Sequence, residues 1–378
     1  MALLRPPLAQ LAQFSSASEK LMAMEAGGRP APLDTSPASA GVVDEEHVDT
    51  VSFEDVSLDE DLYGLTIKSF IRESYKLSVG LPGCQRLARL IGAFGLLWFN
   101  IAMQAALIFA TKVLVSAKSV WTIRKIYQQY EVHMYGGDSG HLWSSIGGQK
   151  RGMPGNFDAG RFQTLDAGVK EGVCAIPLSR PIFTGLILFI WTLTCVGELR
   201  RTVELFRRLV CHGSTSSRFL RVTIETQDSH DIFKLKTLGL NARALITLLI
   251  VLPRLGITFA LLELGSRFLL ATTSFENLIV NVLALAVIKD IKDLIYSTVV
   301  SAHDKRELEL TRIAIADGDR RERSSLQSML QASVWLIAAV AFVWLYMFRF
   351  QSVLPDYQWD VKRVCSPWIQ ERFVERSD

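Results

Sequence analysis

Four residues carry the most chemistry because each interrupts an apolar stretch: Arg254, Glu263, Asn277 and Asn281. An arginine at the centre of a membrane helix costs about 2.5–3.5 kcal/mol on insertion scales, so it must face protein or water and find a partner. Arg254 follows Pro253 in the stretch Ala244–Leu270. Glu263 lies about 180° away round a straight helix, so the two pair only if Pro253 kinks it. Arg267, at i,i+4, is the nearer partner of Glu263. Asn277 and Asn281 share one helix face, as Asn100 and Gln104 do earlier in the chain, and such amides either join helices or line a polar path. The expectation is that Arg254 reaches a polar group on another segment. Asn277 and Asn281 lead the candidates, with Asp290 as an outside one. Together these residues form an expected intramembrane polar site.

Other motifs weigh less. Gly137-Asp138-Ser139-Gly140 matches the tetrapeptide around the nucleophile of chymotrypsin-like proteases. A triad needs a two-barrel domain to position its His and Asp, and the loop from Lys118 to Arg180 is too short to build one. His133 and His141 stand eight residues apart without Cys or Glu at ligand spacing, so a mobile loop is the better reading. The run GGQKRG lacks the ending of a phosphate loop. HExxH, GxSxG and GxGxxG are all missing. The chain reads as a non-enzyme without a cofactor or a resident metal.

Elements long enough to hold these residues are plain. Leu90–Thr111 runs 22 residues without a charge, and a helix of that length, about 33 Å, crosses a hydrocarbon core of about 30 Å. Pro181–Gly197 is a second uncharged run and Ser324–Phe348 a third; Ala244–Leu270 is apolar apart from its three charges. Asn277–Ile288 is only 12 uncharged residues, short for a span and compatible with re-entry. Apolar residues make up 49% and charged residues 21%, which fits a membrane protein better than a soluble one.

The net charge of +3 divides into −9 over residues 1–65 and +12 beyond. So acidic a tail, without apolar clusters, does not fold alone. The basic remainder flanks the apolar runs, which suits contact with anionic head groups. Residues 66–89 alternate Phe70, Tyr75, Leu77 and Leu81 with Arg72, Lys76, Arg86 and Arg89, as either an interfacial amphipathic helix or a short loop element. Five crossings with a cytoplasmic N-terminus place about 16 flanking Lys and Arg inside and about 9 outside. Without the fourth crossing the split is about 13 to 12 and predicts nothing. Five crossings also put Cys174 and Cys365 on one oxidising side, where a disulfide is possible.

The stretch from Glu276 to Ile295 resembles a signature of large multi-pass membrane protein families of unicellular algae, dinoflagellates especially. There it reads roughly D-L-I-L-N-x-[VL]-A-L-x-F-I-x-D-[IL]-D-[ED]-L. Asn281, Ala284, Leu285, Ile288, Asp290, Asp293 and Leu294 match, Asn277 stands where an acid is usual, and Lys292 replaces the middle acid. The resemblance implies a multi-pass protein and brings no activity; the missing acids argue against cation binding here.

The expected fold is all-α: an integral membrane bundle of four to five helices behind a disordered acidic tail. Its parts are the tail 1–65, an amphipathic segment 66–89, a bundle 90–350 with spans near 90–112, 181–198, 244–270, 272–289 and 330–349, and a C-terminal tail 351–378. The expected function is channel- or transporter-like. The alternative is a membrane anchor or assembly subunit whose acidic tail recruits basic partners. Expected partners are anionic lipids and, laterally, a second copy or other membrane proteins; nothing points to nucleic acid. The membrane of residence is not legible.

Overall fold

The computed structural model describes residues 53–78, 83–135, 142–144, 150–152, 157–211, 220–227, 230–316, 325–355 and 357–377. The acidic tail up to residue 52, the Gly137–Gly140 tetrapeptide and His141 lie outside the described residues.

Strand β1 (Phe53–Ser57) leads into helix α1 (Leu62–Ser78) and then into α2 (Cys84–Met134). A small hairpin follows, β2 (Leu142–Ser144) with β3 (Lys150–Gly152), and then α3 (Ala167–Ala175) and α4 (Pro181–Leu209). A longer hairpin, β4 (Leu220–Gln227) with β5 (His230–Leu238), precedes α5 (Leu240–Leu270) and α6 (Phe275–Val299). The chain continues through α7 (Ala302–Glu309), β6 (Thr311–Ala316), α8 (Ser325–Leu345) and α9 (Val361–Ser377).

The protein is an integral membrane helix bundle. Four helical stretches are long and apolar enough to cross a bilayer: α2, α4, α5 and Met329–Phe350, the last being α8 with its π-helical extension. Large apolar side chains such as Phe109, Ile182, Leu248, Leu283 and Ile337 are turned outward. In water that surface would aggregate; in lipid it is solvated. Three threonine hydroxyls in the same helices are satisfied locally: Thr192, Thr202 and Thr258 donate to carbonyls one turn back. In α5, a π turn at Thr247–Val251 immediately precedes Pro253, whose ring lacks the N–H that a regular helix would use.

The two ends of the bundle differ. At one end, β1, β6, β5 and β4 form a four-stranded sheet in that order, β5–β6 being parallel and the other pairs antiparallel. At the other end a disulfide joins Cys174 in α3 to Cys365 in α9, with Cα atoms 5.3 Å apart. Both links bear on α6, which carries Lys289, Asp290, Lys292 and Asp293 and is not among the four most apolar stretches. Strand β5 precedes α5 and β6 follows α6, so the chain leaves the sheet end and returns to it. Between Cys174 and Cys365 run α4, α5, α6 and α8. If α6 stayed at one end, neither link could close. At 25 residues, or about 37 Å, it has the length required.

Several expected boundaries move. Residues 53–65, expected in the tail, carry β1 and the start of α1. Residues 66–89 are two elements: α1, which buries Leu62, Ile67, Phe70 and Ile71, and the first turns of α2. Helix α1 therefore packs as core rather than lying at an interface. The first span is part of a 51-residue helix about 76 Å long, so the segment after Lys118 is helical up to Met134. The charged stretch from Ala302 is helical only to Glu309 and turns to strand at Thr311, where Ile313 and Ile315 alternate with polar or small residues.

Candidate functional site: a buried ion-pair ring at the sheet end

Three helices of the bundle bring one charge each to the same level. Glu198 lies 17 residues into α4, Lys292 lies 17 into α6, and Arg254 stands 16 before the end of α5. At about 1.5 Å per residue all three sit about 24–26 Å from the disulfide end. The fourth member, Asp61, comes from outside the spanning helices.

Asp61 precedes α1 and caps it, its Oδ1 accepting from the Gly64 N–H at 2.8 Å. That bond directs Oδ2 inward, 3.1 Å from Arg254 Nη2 and 3.5 Å from Lys292 Nζ. Glu198 Oε2 is 3.3 Å from Arg254 Nη2 and 2.8 Å from Lys292 Nζ. The four charges thus close a ring in which each acid serves both cations. The ring is shut from solvent: Arg254 is 2% exposed, Lys292 3%, Asp61 4% and Glu198 7%.

Two groups flank it. Asp59 Oδ2 lies 3.7 Å from Arg254 Nη1, with its side chain 39% exposed, so Asp59 stands between the closed ring and water. Burial raises the Asp59 pKa, the Asp61 charge adds to this, and the Arg254 charge opposes it. The Tyr63 ring lies against the guanidinium, 4.7 Å from its carbon. The Arg254 Nε and Nη1 atoms make no hydrogen bond.

The residues singled out in the sequence scatter. Arg254 is at the centre of the ring, but Asn277, Asn281 and Asp290 are not its partners. Asn277 is exposed, and only its backbone N–H is engaged, with the Ser274 hydroxyl. The Asn281 side chain donates to Thr272 Oγ1 at 2.9 Å and ties the α5–α6 corner. Asp290 pairs with Lys289 at 3.0 Å. Glu263 is exposed on α5, far along the helix from Arg254. Asn100 donates to Gln104, whose amide donates to the Ile288 and Lys289 carbonyls, joining α2 to α6 as glue.

Glu198, Lys292 and Asp61 escaped the sequence reading. Each stands just past an uncharged run or at the head of α1, where a charge normally marks the end of a span. For Glu198 and Lys292 the available signal was their equal distance from the starts of their helices.

At the disulfide end, a second polar group closes the C-terminal segment onto α2. Tyr127 and Tyr135 donate to the two oxygens of Asp360 at 3.0 and 2.9 Å, and Arg124 donates to the Val353 and Ser352 carbonyls. Burial raises the Asp360 pKa although these hydrogen bonds pull it down. His133 is hydrogen-bonded to the Arg161 carbonyl and Thr164.

No protein-family model, curated protein or solved structure matches this chain.

Proposed function

We propose that the protein is a channel- or transporter-type membrane protein whose ion-pair ring is a gate at the sheet end. The observation that carries this reading is the ring itself: four mutually paired charges, each below 10% exposure, held by three spanning helices and one segment from outside them. Buried ion pairs add little net stability over apolar packing of the same volume, and charges at this depth are costly. Their use here is to give the helices two discrete arrangements, paired and closed or hydrated and open. The excess of Lys and Arg on the sheet-end flanks orients that end to the cytoplasm, against anionic lipid. The full chain reconstituted in vesicles should pass ions or small solutes, and Arg254→Leu should change that flux while the protein still inserts.

The dryness of the ring favours a second reading, a non-transporting anchor or assembly subunit. A wild-type chain that is folded and moves no solute, with Arg254→Leu altering only stability, would decide for the anchor.

A further inference from the structure

Within the buried ring, the spanning helices supply two cations, Arg254 and Lys292, and one acid, Glu198. They are therefore one positive charge in excess. The balance comes from the turn before α1, which inserts Asp61 and, at the solvent edge, Asp59. That turn is shaped for insertion. A Cβ on Gly64 would fall 1.9 Å from the Asp59 carbonyl oxygen, so only glycine lets the turn fold back this tightly on α1. The buried Arg254 guanidinium keeps two donor atoms, Nε and Nη1, without a hydrogen bond. Nη1 is the atom facing Asp59, the most distant and most exposed acid of the group. Unspent donors on a buried cation leave it capacity for further acceptor oxygens.

We propose that Arg254 and Lys292 form a binding site for a small anionic group, a phosphate or carboxylate, and that the Asp59–Asp61 turn occupies it as an internal stand-in. The site rests on the gate reading above and names its ligand class: an anion that displaces the turn takes over the two cations. Withdrawal involves the turn alone. Helix α1 stays packed through its buried apolar face and through Lys68, paired with Asp304 and Glu307. Arg201, 3.5 Å from Glu198 and largely exposed, adds positive potential at the mouth. The anion could be free in solution or be the head group of a lipid in the same leaflet, since both present the same oxygens.

The test uses the full chain in phosphatidylcholine nanodiscs, with binding of inorganic phosphate and of acetate measured at constant ionic strength. Two variants free the site by different routes: Gly64→Ala expels the turn sterically without changing a charge, and Asp59→Asn with Asp61→Asn removes its charges and keeps the cap. Each should bind phosphate at least roughly tenfold more tightly than wild type, because the internal competitor is gone. Adding Arg254→Leu should abolish the gain, and Glu198→Gln in the wild-type background should also raise affinity. If exchanging part of the lipid for phosphatidylglycerol blocks phosphate binding, the source is a head group; if it has no effect, the source is a free anion. Both results support the site. Variants that melt cooperatively with the disulfide intact, yet bind no anion or are stabilised by sodium or potassium instead, overturn it. The outcome is separable from transport. Anion binding without flux keeps the site and removes the gate, and flux without anion binding does the reverse.

Discussion

Arg254 shows how a single residue can be conspicuous in a sequence while its partners are not. A central arginine must be satisfied, and that much follows from lipid solvation alone. Its partners are 56 and 193 residues away in the chain, at Glu198 and Asp61. Removing one member of a buried ring leaves the others uncompensated, at about 3–5 kcal/mol. Lys292→Met should therefore lower the thermal midpoint sharply, whereas Lys292→Met with Glu198→Met, which leaves Arg254 paired with Asp61, should recover much of the loss. An additive double variant would show that Lys292 and Glu198 do not interact. Gly265 makes a second case. A Cβ there would lie 2.4 Å from Trp191 Nε1, and Trp191 is fully buried. Gly265→Ala should cost about 1–3 kcal/mol through overpacking between α4 and α5, read as a lower melting temperature. Helical periodicity finds neither contact, because it describes one element at a time.

Among the elements, α1 is the one whose placement depends most on charge. Lys68, itself buried, reaches Asp304 at 3.2 Å and Glu307 at 3.0 Å, and Arg72 reaches Glu307 at 3.3 Å. Burial acts to raise the Glu307 pKa, but the Lys68 hydrogen bond and the Arg72 charge outweigh it; for Asp304, burial is outweighed by the Ser301 hydroxyl and Lys68. Both carboxylates end below their ordinary values. A depressed carboxylate contributes stability that is present above its unfolded pKa, about 4, and is lost as pH falls through the lower folded value. Contact between α1 and α7 should therefore loosen as pH drops from about 5 toward about 3. Limited proteolysis between α1 and α2 should report it, and Lys68→Met should flatten the pH dependence. Asp59 and Asp360, both raised, act with the opposite sign, their contribution growing as pH falls. A proteolysis rate independent of pH over that range would remove α1–α7 ion pairing as the fastening. None of the four strands of the sheet was expected from the sequence, although Val222 and Ile224 in β4 and Ile313 and Ile315 in β6 alternate with other residues at strand period. The pairing of β1 with β6 was not legible, since it joins residues more than 250 positions apart.

For the whole molecule, the sheet and the disulfide impose one topology. Each closes only if the chain passes between the two ends an even number of times, so α6 runs from one end of the bundle to the other. Acceptor sites for glycosylation introduced at Gly148 and after Asp378 should both be modified. Modification at Gly148 alone would place the C-terminus at the sheet end and contradict the disulfide. A maleimide should label exposed Cys84 directly but reach Cys174 and Cys365 only after a reductant is added. The bridge closes a loop of 191 residues, so Cys174→Ser with Cys365→Ser should cost on the order of 3–5 kcal/mol, seen as earlier melting and a freed α9.

The sequence by itself determined the solvent and the helices. Twenty-two uncharged residues from Leu90 to Thr111 have no stable place but a bilayer, and a bilayer leaves the backbone little choice but to satisfy itself as helix. It also singled out Arg254, and with Cys174 and Cys365 a pair on one side. Tertiary structure alone decided which acids meet Arg254, that Lys292 faces inward while Asp290 is exposed, and that α6 runs the length of the bundle despite its charges. The physical reason is range. Hydropathy and periodicity are sums over neighbours in the chain, whereas the ring, the sheet and the bridge join groups whose distance depends on how whole helices pack. A charge that ends an apolar run looks the same in sequence whether it meets water or an opposite charge on the next helix.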